Sequence, residues 1–116
     1  MEKFLLIVRE DLQMLGKLTE EERYMGIREM SKWVEEFALS GNYQNGEPLW
    51  VAGRYVSKDY VLSDGPFIEA KEGVSGFMTM TAENLDQAAS IAQTCPKVIK
   101  GEMQIEVRPI IQVKNA

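Results

Sequence analysis

Lys3-Phe4-Leu5-Leu6-Ile7-Val8-Arg9 is the stretch from which the fold is read. Its apolar residues, Phe4 to Val8, do not alternate with polar ones. A strand with that pattern is buried on both faces. The polar stretch from Glu10 to Leu18 that follows reads as a loop. Thr19-Glu20-Glu21-Glu22 then fits a capping box, in which the Thr hydroxyl and the Glu carboxylate satisfy end amides reciprocally. A helix is expected from about Glu20 to Leu39. Ile27, Met30, Val34, Phe37 and Ala38 recur at helical spacing on one face, and Gly41 is its stop.

Further along, Leu49 to Ser57 and Tyr60 to Ser63 read as two strands, with Lys58-Asp59 as a tight hairpin between them. Gly76 to Thr81 is another strand. Asn84 and Gln87 form a second capping-box candidate. Leu85, Ala88, Ala89, Ile91, Ala92 and Cys95 follow with helical periodicity up to Pro96. The last strand spans Met103 to Val113. Pro109 inside it lacks an amide donor and marks an edge or a bulge. The order strand, helix, hairpin, strand, helix, strand predicts an α+β fold. It is a ferredoxin-like βαββαβ sandwich in one domain over residues 1–116, with an extra hairpin before the third main strand. Two helices cover one sheet face. The other face, apolar in its first strand, predicts a two-fold homodimer that buries sheet against sheet.

Composition narrows the function. At 116 residues the chain is long enough for a real core, and 45% apolar with 27% charged residues fits a soluble globular class. A net charge of −5 with scattered basic residues argues against nucleic acid as partner. The run Phe4 to Val8 is far too short for a membrane span, and no small-residue cleavage site follows it. The expectation is therefore a cytoplasmic protein. One cysteine, Cys95, permits no intrachain disulfide. The absence of histidine removes the usual neutral-pH base, any Ser-His-Asp or Cys-His device, and, with a single cysteine, ordinary zinc sites. No metal or other cofactor is expected.

The chemistry-bearing segment is Ser63-Asp64-Gly65-Pro66-Phe67-Ile68-Glu69-Ala70-Lys71-Glu72-Gly73. Asp64 can bond amides two residues on, Gly65 permits unusual dihedrals and Pro66 fixes the next one. The residues alone fit a structural turn with Phe67 as an apolar plug. Glu69 and Lys71, two apart, share a face in an extended segment and either pair, meet solvent or face a ligand. In the last strand Ile105 and Val107 point one way and Gln104, Glu106 and Arg108 the other. Arg108 either clamps a carboxylate or phosphate or braces Glu106. Arg54 has similar choices, and Arg9 is expected to end its strand in solvent. Trp33, Trp50, Tyr43, Tyr55 and Tyr60 are candidate pocket walls, with core packing the ordinary alternative. Cys95 reads as a small buried residue rather than a nucleophile.

The set Gly46-Glu47-Pro48-Leu49, Ser63 to Glu72, Cys95-Pro96 and Ile105-Glu106-Val107-Arg108-Pro109 resembles the DGPF family of small bacterial YCII-related proteins. The resemblance spans Lys3 to Ile110 and implies a dimeric α/β barrel of ferredoxin-like subunits. It implies little about activity. Some relatives look associated with extracytoplasmic-function sigma factors, which would imply regulation. More distant ones resemble enzymes, including one that dehalogenates a chlorinated lactone and carries a His-Asp pair. This chain has no histidine, so that pair does not carry over. What carries over by motif is Asp64, Gly65, Pro66, Phe67, Glu69, Lys71 and Glu72, with Arg108 and Pro109. The expected ligand-binding set is therefore Asp64, Phe67, Glu69, Lys71 and Arg108, with Asp64 the candidate catalytic group. Two functions compete. One is a module that binds a small ligand in a cleft near the Asp64-Gly65-Pro66-Phe67 loop, in a regulatory or accessory role, with a sigma factor among the protein partners to consider. The other is a small-molecule enzyme, lyase- or hydrolase-like, that uses carboxylate acid-base chemistry without histidine or metal.

Overall fold

A computed structural model describes residues 1–62 and 73–113. The strand read from Lys3 to Arg9 is β1, Glu2–Glu10. The expected loop after it instead holds a short helix, α1, Leu12–Lys17. Asp11 caps it, its carboxylate accepting from the amides of Gln13 and Met14 at 3.0 and 3.1 Å. A six-residue helix is too short for apolar periodicity to show, so its cap is its only sequence signal.

The long helix α2 runs Glu20–Leu39. Its capping box forms in full: Glu22 N donates to Thr19 Oγ1 at 3.1 Å, and Thr19 N to Glu22 Oε1 at 2.9 Å. These bonds hold the Glu22 carboxyl below its ordinary range, the Thr19 backbone amide contributing most. Gly41 ends the helix at φ +79°, the left-handed conformation glycine tolerates best.

The next sheet strand, β2, is Tyr43–Pro48, earlier than the run expected from Leu49. Leu49 to Arg54 holds no strand, and only the tip forms a hairpin: β3, Tyr55–Val56, pairs with β4, Val61–Leu62. β5 spans Gly73–Ala82. Helix α3 is Leu85–Ala92. Asn84 Oδ1 accepts from Gln87 N at 2.8 Å, while Gln87 Oε1 takes the Glu83 amide, so this cap is shifted one residue from a true box. Pro96 begins a further helix, α4, Pro96–Ile99, where its missing amide costs nothing. β6 is Gln104–Pro109, shorter than the expected Met103 to Val113.

The sheet order is β2-β5-β1-β6, with every pairing antiparallel. This is the ferredoxin-like arrangement, with the β3–β4 hairpin inserted before β5. β6, with Pro109 at its end, is an edge strand, where a missing donor is tolerated. Phe4, Leu6 and Val8 of β1, with Met78, Met80 and Ala82 of β5, form a buried stripe beneath α2 and α3. Trp33 and Phe37 of α2 close over it, their ring centroids 5.2 Å apart. The Trp33 indole donates to Thr94 Oγ1 at 3.0 Å, which ties α2 to the end of α3. None of the described helices covers the opposite sheet face.

Candidate functional site

Between α2 and the sheet, at the end of β1 away from Phe4, lies an open cavity of about 390 Å³. Its walls are mainly apolar: Val8 and Met78 from the sheet, Ile27, Met30 and Val34 from α2, and Trp50. Trp50 is 53% exposed, and the Arg23 guanidinium lies over its ring at 4.7 Å from the centroid. Arg23 also donates to the Leu18 carbonyl at 2.9 Å. The Trp50 segment is thereby tied to the α1–α2 junction by a cation–π contact.

Three polar side chains meet in this apolar setting. The buried stripe Phe4, Leu6, Val8 continues by alternation to Glu10, a carboxylate on the helix-facing side. Opposite it, Val8 pairs with Gly76 but Arg9 pairs with Val74, so Ser75 is the extra residue of a β-bulge. Ser75 is buried, and its hydroxyl donates to Glu10 Oε1 at 2.7 Å. Lys97, at the second position of α4, brings its ammonium to 3.8 Å from Glu10 Oε2. The two side chains are only 13% and 15% exposed, far less than a surface ion pair. Gly26 of α2 makes room, since a Cβ there would sit 3.0 Å from Lys97 Nζ. A glycine within a helix costs up to about 1 kcal/mol relative to alanine. The lysine passing over it accounts for that choice.

Of the residues singled out by sequence, Asp64, Phe67, Glu69 and Lys71 lie outside the described residues. Arg108 does not line this cavity. It pairs in register with Leu5 on the uncovered face of the sheet, while Val107 pairs with Leu6 on the helix side. There Glu106 accepts from Arg108 at 3.1 Å and from Arg9 at 3.0 and 3.3 Å. Arg108 therefore braces its strand neighbour. Arg9, expected to end its strand in solvent, joins the same network. The hydrogen bond from Arg108, then that from Arg9, holds the Glu106 carboxyl below its ordinary range. Arg54 is turned back on the Gly53 carbonyl. Among the aromatics, Trp33 is core, Tyr43 packs edge-on against Phe37, and Trp50 walls the cavity. Tyr55 and Tyr60 are exposed on or beside the hairpin. Cys95 is fully buried, with Met30 and Met103 sulfurs at 3.6 and 3.9 Å, and burial pushes its thiol pKa up.

The YCII-related domain model matches residues 3–114, almost the whole chain. The chain belongs to the YCII-related family. No curated protein sequence matches it. Among solved structures, this YCII-related chain is similar to 5-chloro-2-hydroxyhydroquinone dehydrochlorinase from Burkholderia phenoliruptrix AC1100, solved in complex with 2,5-dihydroxybenzoquinone. The TM-score is 0.52 at 19% identity, and the match covers 98% of this chain and 95% of that one. At that identity the likeness speaks for the fold. Among the described residues, no helix is long and apolar enough to cross a membrane.

Proposed function

We propose that this YCII-related protein binds a small, mainly apolar molecule in the cavity between α2 and the sheet, in an accessory or regulatory role. The observation that carries this reading is the largely buried Glu10–Ser75–Lys97 cluster set into a mainly apolar wall, the other charged lining residues lying at its exposed rim or, for Arg23, stacked on Trp50. Ligand sites are typically such apolar concavities with a few convergent polar groups, and about 390 Å³ holds a molecule of one or two rings. A second reading, catalysis on the same ligand, is favoured by the carboxylate and ammonium that face one cavity, a pairing suited to proton transfer. The neighbour's bound dihydroxyquinone is of a size that this cavity would accept.

The proposed assembly is a homodimer joined through the uncovered sheet face. Leu5, Ile7 and Phe77 there are only half-buried, and the Arg9–Glu106–Arg108 group offers both signs of charge to a second copy. Native mass spectrometry of gently purified protein tests both points. The expected result is a dimer carrying a small-molecule adduct. Ile27→Trp, which fills the cavity mouth, should remove the adduct with the melting temperature unchanged. An adduct that survives that substitution, or no adduct and no stabilisation by any compound in a broad thermal-shift panel, counts against the cavity. A monomer counts against the interface.

A further inference from the structure

Within the cavity the donors and acceptors are unevenly used. An ammonium carries three N–H donors, yet Lys97 Nζ makes no hydrogen bond among the described residues. Its charged neighbour, Glu10 Oε2, stands at 3.8 Å, beyond hydrogen-bond length. Glu10 Oε1 is occupied by the Ser75 hydroxyl, while Oε2 faces Lys97 across the gap. The buried part of the wall thus presents one open acceptor and one open donor side by side. Their charges sum to zero; of the other charged residues at the cavity, Glu22, Glu35 and Glu47 are exposed, and Arg23 is taken up by Trp50 and the Leu18 carbonyl. A bound carboxylate or ammonium would add an unbalanced charge against apolar walls, which is costly. A neutral group that donates to Glu10 and accepts from Lys97 adds none, and it leaves the Ser75 bond intact.

Resting on the cavity reading above, we infer that the ligand is a neutral, mostly apolar molecule with a hydroxyl on the carbon next to a carbonyl. The hydroxyl donates to Glu10 Oε2, and the carbonyl oxygen accepts from Lys97 Nζ. Gly26 lets the lysine reach this position, and Ser75 fixes which carboxylate oxygen is free.

Three size-matched compounds test this by calorimetric titration of the full chain: 2-hydroxy-1-tetralone, 1-tetralone and 1-naphthoate. The hydroxyketone should bind about tenfold or more tightly than the plain ketone, the worth of one hydrogen bond to a charged acceptor. Glu10→Leu should close the gap between the two ketones, bringing the hydroxyketone's affinity to that of the plain ketone. Lys97→Met should weaken both ketones together. A merely structural role for the pair would not separate the two ligands in this way. Should a variant fail to fold, the comparison on the native protein still decides. Equal binding of the two ketones overturns the inference and leaves the cavity reading standing, as does tightest binding by the naphthoate. Failure of all three compounds, with the adduct of the purified protein also insensitive to Ile27→Trp, overturns both.

Discussion

The two ends of the helix-covered sheet face are built from the same two strands and differ in almost every other respect. At the Phe4 end, Phe4, Leu6, Met80 and Ala82 are at most 1% exposed, and Trp33 and Phe37 fill the space above. At the Val8 end the same stripe runs into Glu10, the partner strand bulges at Ser75, and the space above stays hollow. The first end stabilises the fold through apolar area removed from water. The second gives up packing and holds polar groups in position. On the proposed ligand-binding reading, a shared strand serves stability at one end and recognition at the other, with a change of residue type marking the boundary.

The largest effect expected from this contrast is on stability. Leu6 is fully buried, paired with Met78 on one side and Val107 on the other. Leu6→Ala should cost about 2–5 kcal/mol, the range for a leucine cut from a close-packed core. Leu15→Ala, at the cavity wall, should cost less than about 1.5 kcal/mol because less area leaves water. Urea denaturation of both variants checks this. Equal losses would erase the distinction between the ends.

Gly26→Ala sharpens it from the other side, with a smaller effect. Alanine favours the helix by up to about 1 kcal/mol. Its Cβ would stand 3.0 Å from Lys97 Nζ, the tip of a flexible side chain that can move aside. The expected outcome is an unchanged or slightly raised melting temperature together with weaker ligand binding. A loss of stability with unaltered binding would mean that the glycine serves packing alone.

The two-layer frame was legible in sequence because its pattern is redundant. The unbroken run Phe4 to Val8, the Thr19 capping box and the helical spacing of Met30, Val34 and Phe37 each point to the same two layers. The hollow end was legible only in fragments. Glu10 follows the apolar stripe by simple alternation, so extending β1 one residue would have placed its carboxylate among the core side chains. Ser75 is aimed by a bulge, a one-residue slip that no composition signals. Lys97 lies just past Pro96, which marked the end of one helix and also began another. β2 was missed because Tyr43-Gln44-Asn45-Gly46-Glu47-Pro48 is polar. It pairs as an edge strand, where one face meets solvent. Arg108 was correctly assigned to the face opposite Ile105 and Val107. Alternation shows the side of a sheet, but not which side holds a cavity.

The smallest effect belongs to the far side of the sheet, and its dependence on pH separates it from the cavity. Arg108 and Arg9 hold the folded Glu106 carboxyl below its ordinary range. A carboxyl depressed by folding adds stability above its unfolded pKa and loses that share as pH falls through the folded value. Stability should therefore decline on acidification from the ordinary glutamate range downward, and less steeply in Glu106→Gln. The Glu22 carboxyl, lowered by its own helix cap, contributes equally to both proteins and cancels from the difference. The Glu106 and Arg108 side chains are 36% and 66% exposed, so solvent and salt screen the pair and the difference should shrink at high ionic strength. Thermal melts of native and Glu106→Gln protein, from neutral pH down to about pH 3, check both points. Identical acid profiles would show that the Arg9–Glu106–Arg108 network adds nothing to the monomer fold. Its charges would then have to find their use outside the sheet that carries them.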